Sequence, residues 1–203
     1  MAANGYEMDP QQKKVALRAI NYGLYILTAV KDGEYGAAGV NWLTQASFTP
    51  PLIVAAVKSD SDSHRIIKET GGFAVNVLAE DQLDIGKAFF RTTTVEGDTL
   101  NGYRFEPGPV TGSPLLVDTP YWFEARVTDT VERGDHTGTR RRGGLLVGRV
   151  DHVAGREDAR QVRLRRAAVD GDGALGRQVE LPVHEVRARV GADRDEDAAQ
   201  VDG

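Results

Sequence analysis

Apolar residues along this chain fall in short runs, set apart by clusters of Gly, Pro, Asp and Ser. Most runs have the length and β-branched content of strands rather than the 3.6-residue period of long helices. The segment YILTAV (25–30) predicts a strand, Lys31-Asp32-Gly33 a hairpin turn, and AAGVNWLTQAS (37–47) the returning strand. Pro50-Pro51 ends that strand. LIVAAVK (52–58) is apolar throughout, as expected of a strand buried on both faces. FAVNVL (73–78) predicts the next strand. A long alternating strand is expected from about Trp122 to Glu132, with LLVGRVDHV (145–153) as its antiparallel partner.

Three helices interrupt the strands. Asp9 followed by Pro10 is a helix start, with Val15, Leu17 and Ile20 as the apolar positions of a helix over 10–20 and Gly23 as its end. A second helix follows Ser59–His64, with Ile66 and Ile67 on its apolar side, Lys68 near its end and Gly71-Gly72 as its stop. AEDQLDIGKAFF (79–90) predicts a third, with acidic residues at its start and Leu83, Ile85, Ala88 and Phe89 facing inward. Residues 91–112, rich in Thr, Gly and Pro, are expected to form a long loop. Strands in hairpin order with few helices predict a mainly β, antiparallel barrel with short peripheral helices, not a doubly wound sheet. Neither a GxGxxG nor a GxxxxGK[ST] motif is present.

Composition sharpens this in two ways. The chain has 203 residues, 40% apolar and 27% charged, which suits one soluble domain. Its formal charge of -5 argues against nucleic acid as a partner. The absence of cysteine excludes disulfides and thiolate chemistry and fits a reducing cytoplasm. No apolar run approaches the roughly 20 residues of a membrane span. Secondly, every Phe, Trp, Tyr, Lys, Ile, Met, Asn and Ser lies at or before Phe123. A stretch without aromatics is poorly equipped to build a second core. Residues 1–153 are therefore expected to form the folded domain and 154–203 a charged, aromatic-free tail. Two readings of that tail stay open: a disordered acidic–basic segment, or a reading frame altered after about Asp135.

The candidate chemistry lies mostly in 41–78. Ser59-Asp60-Ser61-Asp62-Ser63-His64 precedes a helix, and its plainer reading is helix capping. The functional alternative is an anion site of serine hydroxyls and backbone N–H groups at a helix N-terminus. Asp60 and Asp62 count against an anion; Lys58, His64 and Arg65 would offset them. Asn41, Trp42, Thr44, Gln45 and Ser47 form a polar strand end, which suits either a solvated edge or donors converging on a polar ring. The four histidines, His64, His136, His152 and His184, show no metal-ligand spacing, so no metal is expected. His136, in Gly134-Asp135-His136, sits at a strand-end turn.

Taken together, N-W-L-T-Q-A-S-F-T-P-P-L-I-V-A-A-V (41–57), S-H-R-I-I-K-E-T-G-G-F-A-V-N-V-L (63–78), G-S-P-L-L-V-D (112–118), W-F-E-A-R-V (122–127) and G-D-H-T (134–137) resemble the flavin reductase-like, FMN-binding split-barrel family, in particular its flavoredoxin-like members. The resemblance covers about residues 20–137. It implies FMN as cofactor, NAD(P)H as electron donor, a homodimer, and an enzyme that transfers hydride to flavin, in some members for a partner monooxygenase. An FMN-binding electron-transfer protein without enzymatic activity is the alternative. Carried over, Asn41, Trp42, Thr44, Gln45 and Ser47 would line the isoalloxazine and ribityl chain. Ser59, Ser61, Ser63 and His64 would hold the phosphate end. Phe89, Phe90 and Arg91 would close over the flavin, and His136 would act catalytically beside flavin and nicotinamide. The resemblance stops after Thr137, where G-T-R-R-R-G-G precedes L-L-V-G-R-V (145–150). Arg140–Arg142 would form an exposed hairpin tip or a segment foreign to the fold.

Overall fold

The computed structural model describes residues 8–132, 144–155 and 166–167. Its centre is a seven-stranded antiparallel sheet. The strands are β2 (Tyr25–Lys31), β3 (Glu34–Val40), β4 (Leu43–Ser47), β5 (Leu52–Val57), β6 (Gly72–Val77), β11 (Tyr121–Glu132) and β12 (Gly144–Gly155). Their spatial order is β3-β2-β6-β11-β12-β5-β4. β3 and β4 follow each other in sequence yet end the sheet at opposite sides, so the barrel is split there. The fold is the antiparallel split barrel expected.

Local chemistry explains the elements. The β2–β3 hairpin turns through Asp32 (φ 50°) and Gly33 (φ 82°), the left-handed pair that a tight two-residue turn demands. Helix α1 (Pro10–Arg18) is capped by Asp9, whose carboxylate accepts the Gln11 N–H at 2.9 Å. Helix α2 (Asp62–Thr70) stops at Gly71 in the left-handed conformation, its N–H donating to Ile67 O at 2.7 Å.

Two apolar layers sandwich the sheet. On one face α2 places Ile66 and Ile67 among Leu27, Ala29, Val57, Phe73, Val75 and Ala125. On the other, α3 (Leu83–Ala88) brings Ile85, with the adjoining Phe89, against Leu24, Ile26, Leu78, Leu100 and Leu116. A small second sheet helps cover that face. It runs β10 (Pro114–Leu116), β9 (Tyr103–Pro107), β8 (Thr99–Leu100), β7 (Val95–Glu96). Asn76 pins it to the barrel: its amide donates to Ile26 O and Pro114 O, and its Oδ1 accepts from Leu116 N at 2.7 Å.

Several expectations need correction. The predicted strand 37–47 is two strands, because the chain turns at Asn41-Trp42 and β4 leaves β2 to pair with β5. An alternating pattern does not reveal which neighbour a strand will choose. β5 is not buried on both faces; Ile53, Ala55 and Val57 are buried, while Leu52, Val54 and Ala56 are only half-buried. Helix 79–90 shrinks to 83–88, since the Gln82 side chain accepts from Ala79 N at 2.9 Å and folds 79–82 into a turn. The loop 91–112 contains β7, β8 and β9. Helix 10–20 ends at Arg18 with Ala19 as its cap, and its apolar positions Val15, Leu17 and Ile20 are exposed. β13 (Arg166–Ala167) pairs with β1 (Tyr22–Gly23). Among the described residues, no helix is long and apolar enough to cross a membrane.

An exposed ion network ties α2 to the β2–β3 hairpin. Lys31 Nζ meets Glu69 Oε2 at 2.9 Å, and Arg65 pairs with Glu34 and approaches Glu69 at 3.8 Å. The Lys31 hydrogen bond, aided by the charges of Lys31 and Arg65, holds the Glu69 carboxyl below its ordinary value. A lowered carboxyl pKa stabilises the folded state at neutral pH, and that contribution is lost as pH falls through the folded value. We expect Glu69→Gln to lower the melting temperature only slightly at pH 7, since the pair is exposed and screened. In melting curves the difference from wild type should vanish in acid and in molar salt.

Candidate functional site

Strand register gathers the two halves of the candidate site. Trp42 O accepts from Ala56 N at 2.9 Å; Ala56 pairs with Leu145, and Leu145 with Val131. One residue on, Val57 pairs with Gly144, and Gly144 with Glu132. The Asn41-Trp42 turn, the turn leaving β5 at Lys58, and both ends of the connection between Glu132 and Gly144 are therefore neighbours across successive strands, each step about 4.8 Å. That connection carries Gly134-Asp135-His136. His136 and Arg140–Arg142 lie outside the described residues.

The 58–64 corner does what capping chemistry requires. Ser61 Oγ accepts from His64 N at 3.2 Å and donates to Lys58 O at 2.6 Å, so this hydroxyl is already engaged. The acidic side chains that would repel an anion are each paired: Asp60 with Lys58 at 3.1 Å, Asp62 with Arg65 at 3.7 Å. Ser59 and His64 are half-buried and flank the first turn. The leading N–H groups of α2 have no acceptor within the helix. Ser63 is fully buried and its hydroxyl has no partner. β3 backs it through Gly36, where an added Cβ would lie 2.7 Å from Ser63 N and Cα. The free N–H groups and the helix dipole fit an anionic phosphate, with Ser59 and His64 forming the accessible part; Ser61, expected to hold the phosphate, instead donates its proton to Lys58 O.

On β4, Thr44 and Gln45 are exposed and Ser47 half-buried. Their side-chain hydrogen bonds are local: Thr44 Oγ1 donates to Gln45 O and Gln45 Nε2 to Ser47 O, both at 3.3 Å. Leu43 packs on the interior, so Thr44 points to the opposite side of the strand. Trp42 is 41% exposed and leans on Tyr22, ring centroids 6.4 Å apart. Asn41 is half-buried beside it.

The segment after α3 runs along the free edge of β3. Gly39 N donates to Phe89 O at 2.9 Å, and Ala37 N to Thr93 Oγ1 at 3.0 Å. Phe89 is buried, its ring 6.1 Å from that of Tyr103, so it supports the wall from within. Phe90 presents the ring: it is 56% exposed and rests on Gly39, where a Cβ would come within 2.9 Å of it. Arg91 is exposed. The site thus flanks β3 on both faces, through Gly36 towards α2 and through Gly39 towards α3. Sequence reasoning passed over Gly36, Gly39 and Thr93. The glycines, three apart in a strand, were the available signal, because glycine inside a strand marks close backbone approach.

The fold is an antiparallel split barrel in which a helix N-terminus stands beside exposed aromatic rings. The profile described as "Flavin reductase like domain" matches residues 17–168. The chain belongs to the flavin reductase-like domain family. It is 30% identical over 132 residues to a flavin reductase of Pseudomonas putida, covering 64% of this chain and 74% of that protein. It is 32% identical over 125 residues to a ferric-chelate reductase (NAD(P)H) of Archaeoglobus fulgidus, covering 60% of this chain and 73% of that protein. The solved structure of the Streptomyces globisporus NADH:FAD oxidoreductase SgcE6 superposes at a TM-score of 0.67 with 20% identity, over 92% of this chain and 99% of that one, a likeness of fold. The chain spans only 21–50% of the length of the first five curated relatives it matches.

Proposed function

We propose that the protein is an NAD(P)H-dependent flavin reductase that takes FMN, works as a homodimer, and supplies reduced flavin to a partner monooxygenase. The observation that carries this reading is the register row joining Asn41-Trp42, the Lys58–His64 corner and the two ends of the His136-bearing connection. The flavin reductase and the NAD(P)H-linked ferric-chelate reductase among its relatives point to the same chemistry. Bound flavin supplies the two-electron acceptor: NAD(P)H + FMN + H⁺ gives NAD(P)⁺ + FMNH₂.

The chain's own residues bind and shield. Ser59, His64 and the first-turn N–H groups of α2 would hold the phosphate by donated hydrogen bonds and the helix dipole, while Ser61, whose proton goes to Lys58 O, caps the helix beneath it. Asn41, Thr44, Gln45 and Ser47 supply amide and hydroxyl groups to the polar edge of the ring system, while Trp42 and Phe90 offer apolar faces that exclude water. His136 is assigned to the nicotinamide side on the family resemblance, with Arg91 at the rim. The dimer reading is supported by what one copy leaves bare: Trp42, Phe48 (86% exposed) and Phe90, and an α1 with no buried residue. Such exposed apolar groups mark a surface that a second copy would cover.

The activity test is NAD(P)H oxidation by the purified chain, followed by absorbance with and without added FMN. Flavin-stimulated turnover is expected, falling about a hundredfold in His136→Ala. Absence of flavin-stimulated oxidation with either nucleotide would overturn the reading.

A further inference from the structure

A further concave site lies away from the register row that joins Asn41-Trp42 to the Lys58–His64 corner. It is an open cleft of about 600 Å³ between the β9–β10 ribbon and the β11–β12 pair. Trp122, paired with Ala154, and His152, paired with Glu124, form its floor, and Pro107, Leu115, Glu106 and Asp118 its walls. No flavin candidate residue lines it. Trp122 lies nine residues along β11 from Val131 and the register row, roughly 30 Å of strand. The cleft also belongs to the face covered by the small sheet, whereas α2 packs on the opposite face.

Its chemistry is one-sided. Glu106 and Asp118 contribute exposed carboxylates. His152 stands beside them, its Nδ1 buried 3.2 Å from Glu124 Oε2 and turned off the line of a good hydrogen bond. Glu124 itself is fully buried, and the groups that donate to it, Val110 N, Thr111 N and Thr111 Oγ1, are uncharged. Its carboxyl group stands behind the imidazole. Neither Lys nor Arg is among the lining residues. What remains is the apolar indole of Trp122 with Pro107 and Leu115, an aromatic and aliphatic floor under a rim of acceptors.

We propose that this cleft is a ligand site for a small organic cation: an amine, amidine or guanidine carried on an aromatic or apolar body. Such a ligand brings N–H donors to Glu106 and Asp118, and stacks its body and charge against Trp122. A neutral analogue of the same shape would lose both the ion pairing and the cation–π contact. An anion would meet the carboxylates of Glu106 and Asp118, with neither Lys nor Arg among the lining residues to offset them. The proposal does not rest on the flavin reading, and its test is independent of turnover.

The test uses the full chain with benzamidinium as probe and benzamide as its neutral counterpart. The chain has two tryptophans, so two indole N–H signals report separately in a ¹H–¹⁵N spectrum. Benzamidinium should shift the Trp122 signal and leave that of Trp42 in place. Benzamide should bind at least roughly tenfold more weakly. Glu106→Gln combined with Asp118→Asn should weaken benzamidinium by a similar factor; both residues are exposed, and an unchanged melting temperature confirms that the variant is folded. A Trp122→Leu variant, checked by calorimetry, should lose most of the remaining affinity. No Trp122 shift, equal binding of benzamide, or full affinity in the double variant would each overturn the proposal.

Discussion

Gly36→Ala is expected to destabilise the protein by about 2 kcal/mol and to weaken FMN binding with it. The added Cβ would lie 2.7 Å from Ser63 Cα and N and 3.0 Å from Asp62 C. All three are backbone atoms at the first turn of α2, so no flexible side chain can give way. The helix must shift as a body or β3 must bend. Either change disturbs Ile66 and Ile67, which are fully buried in the core beneath. It also moves the N–H groups assigned to the phosphate. Gly36→Val should cost more. Gly97, which has nothing within 4 Å of an added Cβ, is the control: Gly97→Ala carries only the strain of a positive φ (59°). Urea unfolding with a flavin titration on the same variants checks this, and a Gly36→Ala protein as stable as wild type would refute the close packing of β3 on α2.

The second large effect is expected at Glu124. This carboxylate is completely buried and accepts from Thr111 N and Thr111 Oγ1, both at 2.7 Å, and from Val110 N at 3.1 Å. It organises the turn from Gly108 to Ser113, and a Cβ on Gly108 would overlap it. Arg126 holds the same turn by donating to Val110 O at 3.0 Å. Glu124→Ala strands these half-buried donors and opens a buried void, with an expected loss of about 2–4 kcal/mol. Glu124→Gln keeps one acceptor oxygen and should lose clearly less. Chemical denaturation of the two variants side by side measures the difference. Equal losses would show that volume, not the acceptor, matters at this position.

These two positions mark where the sequence was hard to read. Glu124 occurs in an alternating strand, W-F-E-A-R-V, where a single acidic residue reads as one more outward-facing position. Only the folded turn from 108 to 113 makes it an internal acceptor. Gly36 reads as a small residue in a hairpin strand until α2 packs on it. What was legible rested on local chemistry: Asp32-Gly33 for the turn, Ser61 and Gly71 for the ends of α2, and β11 with β12 as a pair. The capping reading of Ser61 held in full, because a serine before a helix satisfies the backbone whether or not a ligand is near. Choices made by distant parts of the chain were not legible. β4 pairs with β5 rather than continuing from β3, and 91–112 folds into a small sheet only because Asn76 and the apolar layer of α3 receive it. The family motifs brought Asn41–Ser47 and Ser59–His64 together on the page before the register explained why they meet.

The central claim is that the flavin sits at the Asn41–Ser47 and Ser59–His64 corner, bordered by Phe90 and Arg91. Hydrogen–deuterium exchange of the full chain, with and without saturating FMN, tests it most directly. We predict slower exchange in peptides spanning 41–47, 58–65 and 89–93, with no change across 106–118. Protection confined to 106–118 and 152–154, with 41–47 and 58–65 unaltered, would contradict it.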